Sequence, residues 1–207
     1  MSRAPSFCGV ILAAGGSTRM GTDKALLPWP PANSSGGTFL SAAIEVLSSF
    51  NDLIIVVAGT NEATITPVVD AEGGFLVQNP APEQGQFSSL QVGLHEVLNR
   101  GRDAAMVTLV DRPPVRSATL EKLVEEFAAA LLRGKWALIP EYGEKHGHPI
   151  LVSREMIEAF LKAPANATAR EIEHQNQSHV EYFAVDDPFV ALNVDTPQDY
   201  ANLASGR

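Results

Sequence analysis

Directly after the apolar run Val10–Ile11–Leu12, residues 13–24 read Ala-Ala-Gly-Gly-Ser-Thr-Arg-Met-Gly-Thr-Asp-Lys. Small residues let a backbone come close to a ligand, and successive amide N–H groups in such a bend can point at an anion. Ser17 and Thr18 add hydroxyl donors. Arg19 and Lys24 add two cations, one a planar fork and one a point charge, that suit phosphate oxygens. Two familiar phosphate loops do not fit. A Walker loop needs Gly-Lys-Ser/Thr, but Gly21 is followed by Thr22 and Asp23. A dinucleotide fingerprint needs G-x-G-x-x-G, but Gly15 and Gly16 are adjacent. The bend is therefore either a plain strand-to-helix turn or a phosphate cradle of another kind.

Two aspartates stand where a cation could be held. Asp111 follows the run Ala104–Val110 and opens Asp111-Arg112-Pro113-Pro114-Val115, and Asp195 precedes Thr196–Pro197. A carboxylate at a strand end can hold Mg²⁺ together with phosphate and water oxygens, although a loop Asp is commonly a cap or turn former. Asn79–Pro80, then Gly85-Gln86-Phe87-Ser88-Ser89-Leu90, reads as a turn and a helix start, where hydroxyls ordinarily cap. His148 lies in Gly147-His148-Pro149, a setting typical of a loop histidine. Cys8 is alone in an apolar run with no basic neighbour, so it reads as a small buried hydrophobe and not a nucleophile.

The elements that must position these residues follow from periodicity. Short apolar runs fall at Gly9–Ala13, Leu53–Ala58, Phe75–Val77, Ala104–Val110, Ala137–Ile139 and Glu181–Val185. They lack polar alternation, as strands covered on both faces do. Helical spacing marks Phe39–Phe50, Ser88–Asn99 and Leu120–Leu132, with further helices expected at Ser153–Leu161 and Ala167–Gln175. Thr196-Pro197-Gln198-Asp199 gives an N-cap, a first-turn proline and an acid at the third position, predicting a last short helix. Alternating strands and helices predict a three-layer α/β/α fold with a mostly parallel, Rossmann-like sheet, and ligands in such sheets bind beyond the carboxyl ends of the strands. The candidate residues cluster just there. The loop Pro28–Gly37, rich in Pro, Gly and Ser, reads as a loop within one domain spanning residues 1–207.

Composition narrows the function classes. The 207 residues carry a net charge of -9, 45% hydrophobic residues and one cysteine. A chain this long can bury roughly 70% of its unfolded surface without a disulfide or metal staple. No basic face is supplied for nucleic acid. No apolar window is long enough for a membrane span, and no secretory signal is evident, so no membrane partner and a cytoplasmic location are expected.

The stretch Leu12–Gly21, followed by Lys24-Ala25-Leu26-Leu27, resembles the signature of nucleotidyltransferases that attach a nucleoside monophosphate to a phosphorylated acceptor. Within them it is most similar to the molybdenum cofactor nucleotidyltransferase family, in its cytidylyltransferase branch. The resemblance runs from Val10 to about Leu203. It implies that Gly15–Lys24, including Gly16 and Ser17, wraps an NTP triphosphate, with Arg19 and Lys24 on the phosphates. It also implies that the backbone at Leu12, Ala13 and Ala14 lies against the base. The family's Asn-Pro and Gly-x-x-Ser-Ser-Leu patterns make Asn79, Gly85 and Ser88 base or sugar contacts. Its acid-x-Pro-x-Val and Asn/Asp-x-Asp-Thr-Pro patterns make Asp111 and Asp195 ligands of Mg²⁺. Arg112 stands where the family usually has Gln or Met, and Pro28–Gly37 is longer than usual. Gly-His-Pro places His148 near the acceptor, as a positioning group.

The activity so implied is Mg²⁺-dependent transfer of an NMP to a molybdopterin-type acceptor with release of pyrophosphate, with a molybdoenzyme as a further partner. Arg19, Lys24 and Asp111 would carry the catalysis. The guanylyltransferase branch usually has Gly where Ala14 stands, and a methyl there restricts space near the base, which favours CTP. Three alternatives keep part of this reading: a guanylyltransferase of the same family, a sugar- or polyol-phosphate nucleotidyltransferase, and a nucleotide-binding chaperone that does not release pyrophosphate.

Overall fold

The computed structural model describes residues 7–16, 20–31, 36–164 and 166–204. Its first strand, β1 (Phe7–Leu12), is buried along its whole length. Cys8, Val10 and Leu12 point into one core, and Phe7 and Ile11 into the other. Strand geometry sends successive side chains to opposite faces, so a strand apolar at every position must be covered on both.

The remaining elements supply that cover. In chain order they are β2 (Pro28–Trp29), β3 (Gly37–Thr38), α1 (Phe39–Ser48), β4 (Ile54–Ala58), α2 (Glu62–Ala71), β5 (Phe75–Gln78), α3 (Gln86–Asn99), β6 (Ala104–Leu109) and α4 (Ser117–Leu132). Then come β7 (Ala137–Tyr142), β8 (Lys145–His146), β9 (Ile150–Ser153), α5 (Arg154–Lys162), α6 (Ala169–Gln175), β10 (Val180–Ala184) and α7 (Pro197–Ala204). The large sheet runs β10-β7-β9-β6-β1-β4-β5, with β8 added beside β7. Helices α1, α2 and α4 pack on one face through Leu40, Ile44, Ile65, Val69, Leu120 and Phe127. Helices α3, α5 and α6 pack on the other through Leu90, Leu94, Met156, Phe160 and Ile172. The three-layer α/β architecture expected from the apolar runs is the one observed.

Five elements lie outside the sequence reading: the two-residue strands β2, β3 and β8, and β9 and α2. β9 runs antiparallel between β6 and β7, so the sheet is mixed, while β1 pairs parallel with both β4 and β6. α2 was not expected, because Pro67 and two threonines interrupt its pattern. The ends of the Pro28–Gly37 loop form the two-residue β2–β3 pairing. Trp29 packs edge-on against Phe39, 5.1 Å between ring centroids, and the Tyr200 hydroxyl donates to Pro28 O at 2.9 Å. The loop base is thereby fastened to α1 and α7. Among the described residues, no helix is long and apolar enough to cross a membrane.

Candidate functional site

Beyond the carboxyl ends of β1 and β6 lies a cleft of about 360 Å³, lined in part by Leu12, Ala14, Gly15, Gly16, Lys24, Gly85, Asp111 and Asp195. Lys24 sits in a short 3₁₀ turn, Lys24–Leu26, whose N-cap Asp23 accepts the Ala25 amide at 3.0 Å. The lysine is only 9% exposed. An ammonium that deep needs partners. Two of them are carboxylates: Nζ lies 2.7 Å from Asp195 Oδ1 and 3.2 Å from Asp111 Oδ2. Residues separated by 87 and 171 positions along the chain thus converge on one point.

The convergence has a local cause. The Val194 amide donates to Asp111 O at 2.9 Å, and Arg112 Nη1 donates to Val190 O at 2.8 Å. These two bonds staple the segment after β10 to the segment after β6. Asp195 is then aimed by the cap of α7. Thr196 Oγ1 accepts the Asp199 amide at 3.2 Å, and Asp199 Oδ2 accepts the Thr196 and Asp195 amides at 2.8 and 3.1 Å. The Thr196 cap inferred from sequence is present, and it leaves the Asp195 carboxylate to face Lys24. Those hydrogen bonds hold the Asp199 carboxyl below the usual range.

Asp111 Oδ1 is buried and has no hydrogen-bond partner among the described residues. A buried carboxylate oxygen left unpaired is a costly arrangement that a cation would relieve. Two carboxylates form an all-oxygen donor set, which fits a hard divalent ion such as Mg²⁺. Among the described residues no group of three or more His, Cys, Asp or Glu side chains is gathered for a metal. An ion held by Asp111 and Asp195 would therefore complete its shell with water and phosphate oxygens, as Mg²⁺ commonly does.

Gly85 reaches the cleft because it adopts φ 98°, a conformation L side chains rarely take. It joins the 3₁₀ turn Pro82–Gln84 to α3 and brings Pro82, Gln86 and Ser89 to the wall. These three residues, with Leu109 and Val110, were missed by the sequence reading. Ser89 lies in the same Gly-x-x-Ser-Ser-Leu pattern as Ser88, next to it in sequence.

Several expected residues do not line the cleft. The Asn79 amide group donates to Ser88 Oγ at 2.9 Å and Ser89 Oγ at 3.0 Å, and its carbonyl accepts the Ala81 amide at 3.0 Å. Ser88 Oγ also donates to Gly85 O at 2.8 Å. Asn79 and Ser88 are buried and do not line the cleft; they brace the turn that presents Gly85. Ala13 is likewise buried behind the wall, its amide donating to Val57 O at 2.8 Å. Ser17 and Arg19 lie outside the described residues.

His148 is not on the cleft wall either. Its amide donates to Val190 O at 2.8 Å, and its Nδ1 is enclosed without a partner among the described residues. Burial, reinforced by the neighbouring Arg112 guanidinium, pushes its pKa down to about 3. The ring is therefore neutral near pH 7. Cys8 is buried and its thiol is pushed up to about 12, mainly by desolvation, as expected of an inert cysteine.

A model of the MobA-like NTP transferase domain matches residues 9–180. The chain is 27% identical over 202 residues to the molybdenum cofactor cytidylyltransferase of Escherichia coli (strain K12), covering 92% of each protein. It is 26% identical over 207 residues to a probable molybdenum cofactor guanylyltransferase of Mycobacterium avium (strain 104), covering 100% of both. Rv0371c of Mycobacterium tuberculosis H37Rv, solved in complex with manganese, matches with a TM-score of 0.74 at 26% identity, over 98% of this chain and 100% of that one.

Proposed function

Because the chain belongs to the MobA-like NTP transferase domain family, we propose that it transfers a nucleoside monophosphate, CMP in preference to GMP, from an NTP to the phosphate of a molybdopterin-type acceptor. Pyrophosphate leaves. The observation that carries this reading is the Lys24 ammonium held between Asp111 and Asp195 on the wall of a cleft bounded by Gly15 and Gly16. A small-residue bend, a buried cation and two carboxylates are the parts that phosphoryl transfer requires.

The acceptor phosphate oxygen forms a bond to the α-phosphorus, and the bond from that phosphorus to the pyrophosphate oxygen breaks. A phosphate monoester is largely ionised near neutral pH, so no strong general base is needed. The protein's task is positioning and charge neutralisation. Lys24 and Arg19 neutralise the α-phosphate and the departing pyrophosphate. Leu12, Ala14 and Gly85 take the base and ribose. A Mg²⁺ held by Asp111 and Asp195 would supply Lewis-acid neutralisation of the triphosphate.

The choice of CTP rests on Ala14. Ala14 lines the cleft, and it stands where the guanylyltransferase branch usually has Gly. Similarity does not decide the point, since the two relatives named for cytidylyl and guanylyl transfer are equally close.

The test is pyrophosphate release from each of the four NTPs with Mg²⁺, against molybdopterin and sugar-phosphate acceptors. CTP with a molybdopterin acceptor should be fastest. A sugar-phosphate requirement, or a clear GTP preference, would overturn the acceptor or the base. Asp111→Ala and Lys24→Ala should each lower the rate at least tenfold. Loss of one such cation costs ~3 kcal/mol, on the order of a hundredfold. Full activity in either variant would remove the role given to that residue.

A further inference from the structure

Asn61 stands at the N-cap of α2, a place where asparagine normally accepts a hydrogen bond from the first turn of its own helix. It does not do so here. Its dihedrals are φ -88° and ψ 7° instead of the extended values a cap takes, and its side chain makes no capping bond. Its Nδ2 turns instead toward the Lys24 turn and the end of β1, and its Oδ1 toward the residue after β4. Nδ2 donates to Asp23 Oδ2 at 2.7 Å and to Ala13 O at 2.9 Å, while Oδ1 accepts the Gly59 amide at 3.0 Å. The partners fix which atom goes where, because a carboxylate and a carbonyl need a donor and an amide N–H needs an acceptor. Asp23, in turn, caps the 3₁₀ turn that carries Lys24 through its other oxygen. One side chain thus ties together the segments at Ala13, Asp23 and Gly59.

We propose that Asn61 is a positioning residue of the phosphate site: it leaves its own helix uncapped and, through Asp23, sets the place of Lys24 relative to the bend after β1. The inference rests on the reading of Lys24 as a phosphate-binding cation. Serine caps helices as well as asparagine but is too short to bridge Asp23 and Ala13. Asn61→Ser should therefore hold or raise the thermal unfolding midpoint while weakening binding of CTP with Mg²⁺ at least tenfold by calorimetric titration. A purely structural role would lower both together. A double-mutant cycle adds a second readout, since residues acting as one unit are non-additive. In a Lys24→Ala background, Asn61→Ser should cost little further affinity. Unchanged CTP binding in Asn61→Ser, a fall in its midpoint that matches the loss of binding, or fully additive losses would each overturn the role of Asn61 while leaving the nucleotidyltransferase reading in place. If the unaltered chain binds neither CTP nor GTP, that reading itself fails and takes this role with it.

Discussion

At the scale of single residues, Lys24 is the centre of the site, and its surroundings define a competition. Its ammonium occupies the point at which Asp111 and Asp195 converge, 3.2 and 2.7 Å away. A divalent cation would use the same two carboxylates. In the free chain Lys24 is thus their counter-ion, and a triphosphate offers it an alternative partner. Removing the ammonium takes away a cation that both carboxylates hold between them and raises their mutual repulsion. Lys24→Met should then bind Mn²⁺ in the absence of nucleotide at least tenfold more tightly than the parent, a gain of ~1.4 kcal/mol, even as its pyrophosphate release falls. Paramagnetic titration of free Mn²⁺ reads this directly, and weaker or equal binding would show that the two carboxylates do not share an ion. The chemical types of Lys24, Asp111 and Asp195 were legible in the sequence, because strand ends of an α/β sheet gather ligands in one place. Asn79, Ser88 and Asn61 were not. A polar side chain can be satisfied by a neighbour as readily as by a ligand, and only the fold tells which.

At the scale of elements, the site depends on how the segment from Pro188 to Asp195 is fastened to the loop after β6. Two backbone carbonyls receive the fastening bonds, Asp111 O from Val194 N–H and Val190 O from Arg112 Nη1. Val190 O also accepts the His148 amide, so it is not orphaned if the guanidinium is removed. Arg112 carries a cost of its own. Its Nε is buried without a partner among the described residues, and desolvation lowers its pKa despite the nearby Asp111 and Asp195. Replacing an imperfectly paired buried charge by an apolar side chain of similar size is often neutral or stabilising. Arg112→Met should accordingly leave the denaturant unfolding free energy within about 1 kcal/mol of the parent or raise it. A larger loss would mean that Arg112, and not the Val194 bond, is the principal fastening. Most elements were readable from apolar spacing, but β9 and α2 were not. β9 has only four residues and an antiparallel direction that no local pattern encodes. In α2 only Ile65 and Val69 are buried, one turn apart, and Pro67 lies between them, so tertiary packing overrides a weak local preference.

At the scale of the whole molecule, two cores on either side of one sheet hold the cleft at the sheet's carboxyl edge, and this much follows from alternating apolar runs. The ionisation of the interior does not, because it depends on which groups the fold encloses. His148 shows the consequence. Burial first, and then Arg112, hold its pKa near 3, against 6.5 for an unconstrained histidine. Between those values the unfolded chain binds a proton that the folded chain refuses. Stability therefore rises with pH across this window and is lost as pH falls below about 6.5, by at most about 1.4 kcal/mol per pH unit from this one group. Other buried or bonded acids act near their own ranges. Glu173 is raised by burial and opposes the trend, while Glu96 and Asp199 are lowered and add to it below the carboxylate range. All three are common to the parent and a His148 variant, so they cancel in the difference. Urea midpoints at pH 7, 6 and 5 should fall more steeply for the parent than for His148→Gln, whose side chain takes up no proton. Parallel curves would mean that the ring is protonated in the folded chain, and that a charged His148 stands beside Arg112 at the edge of the site.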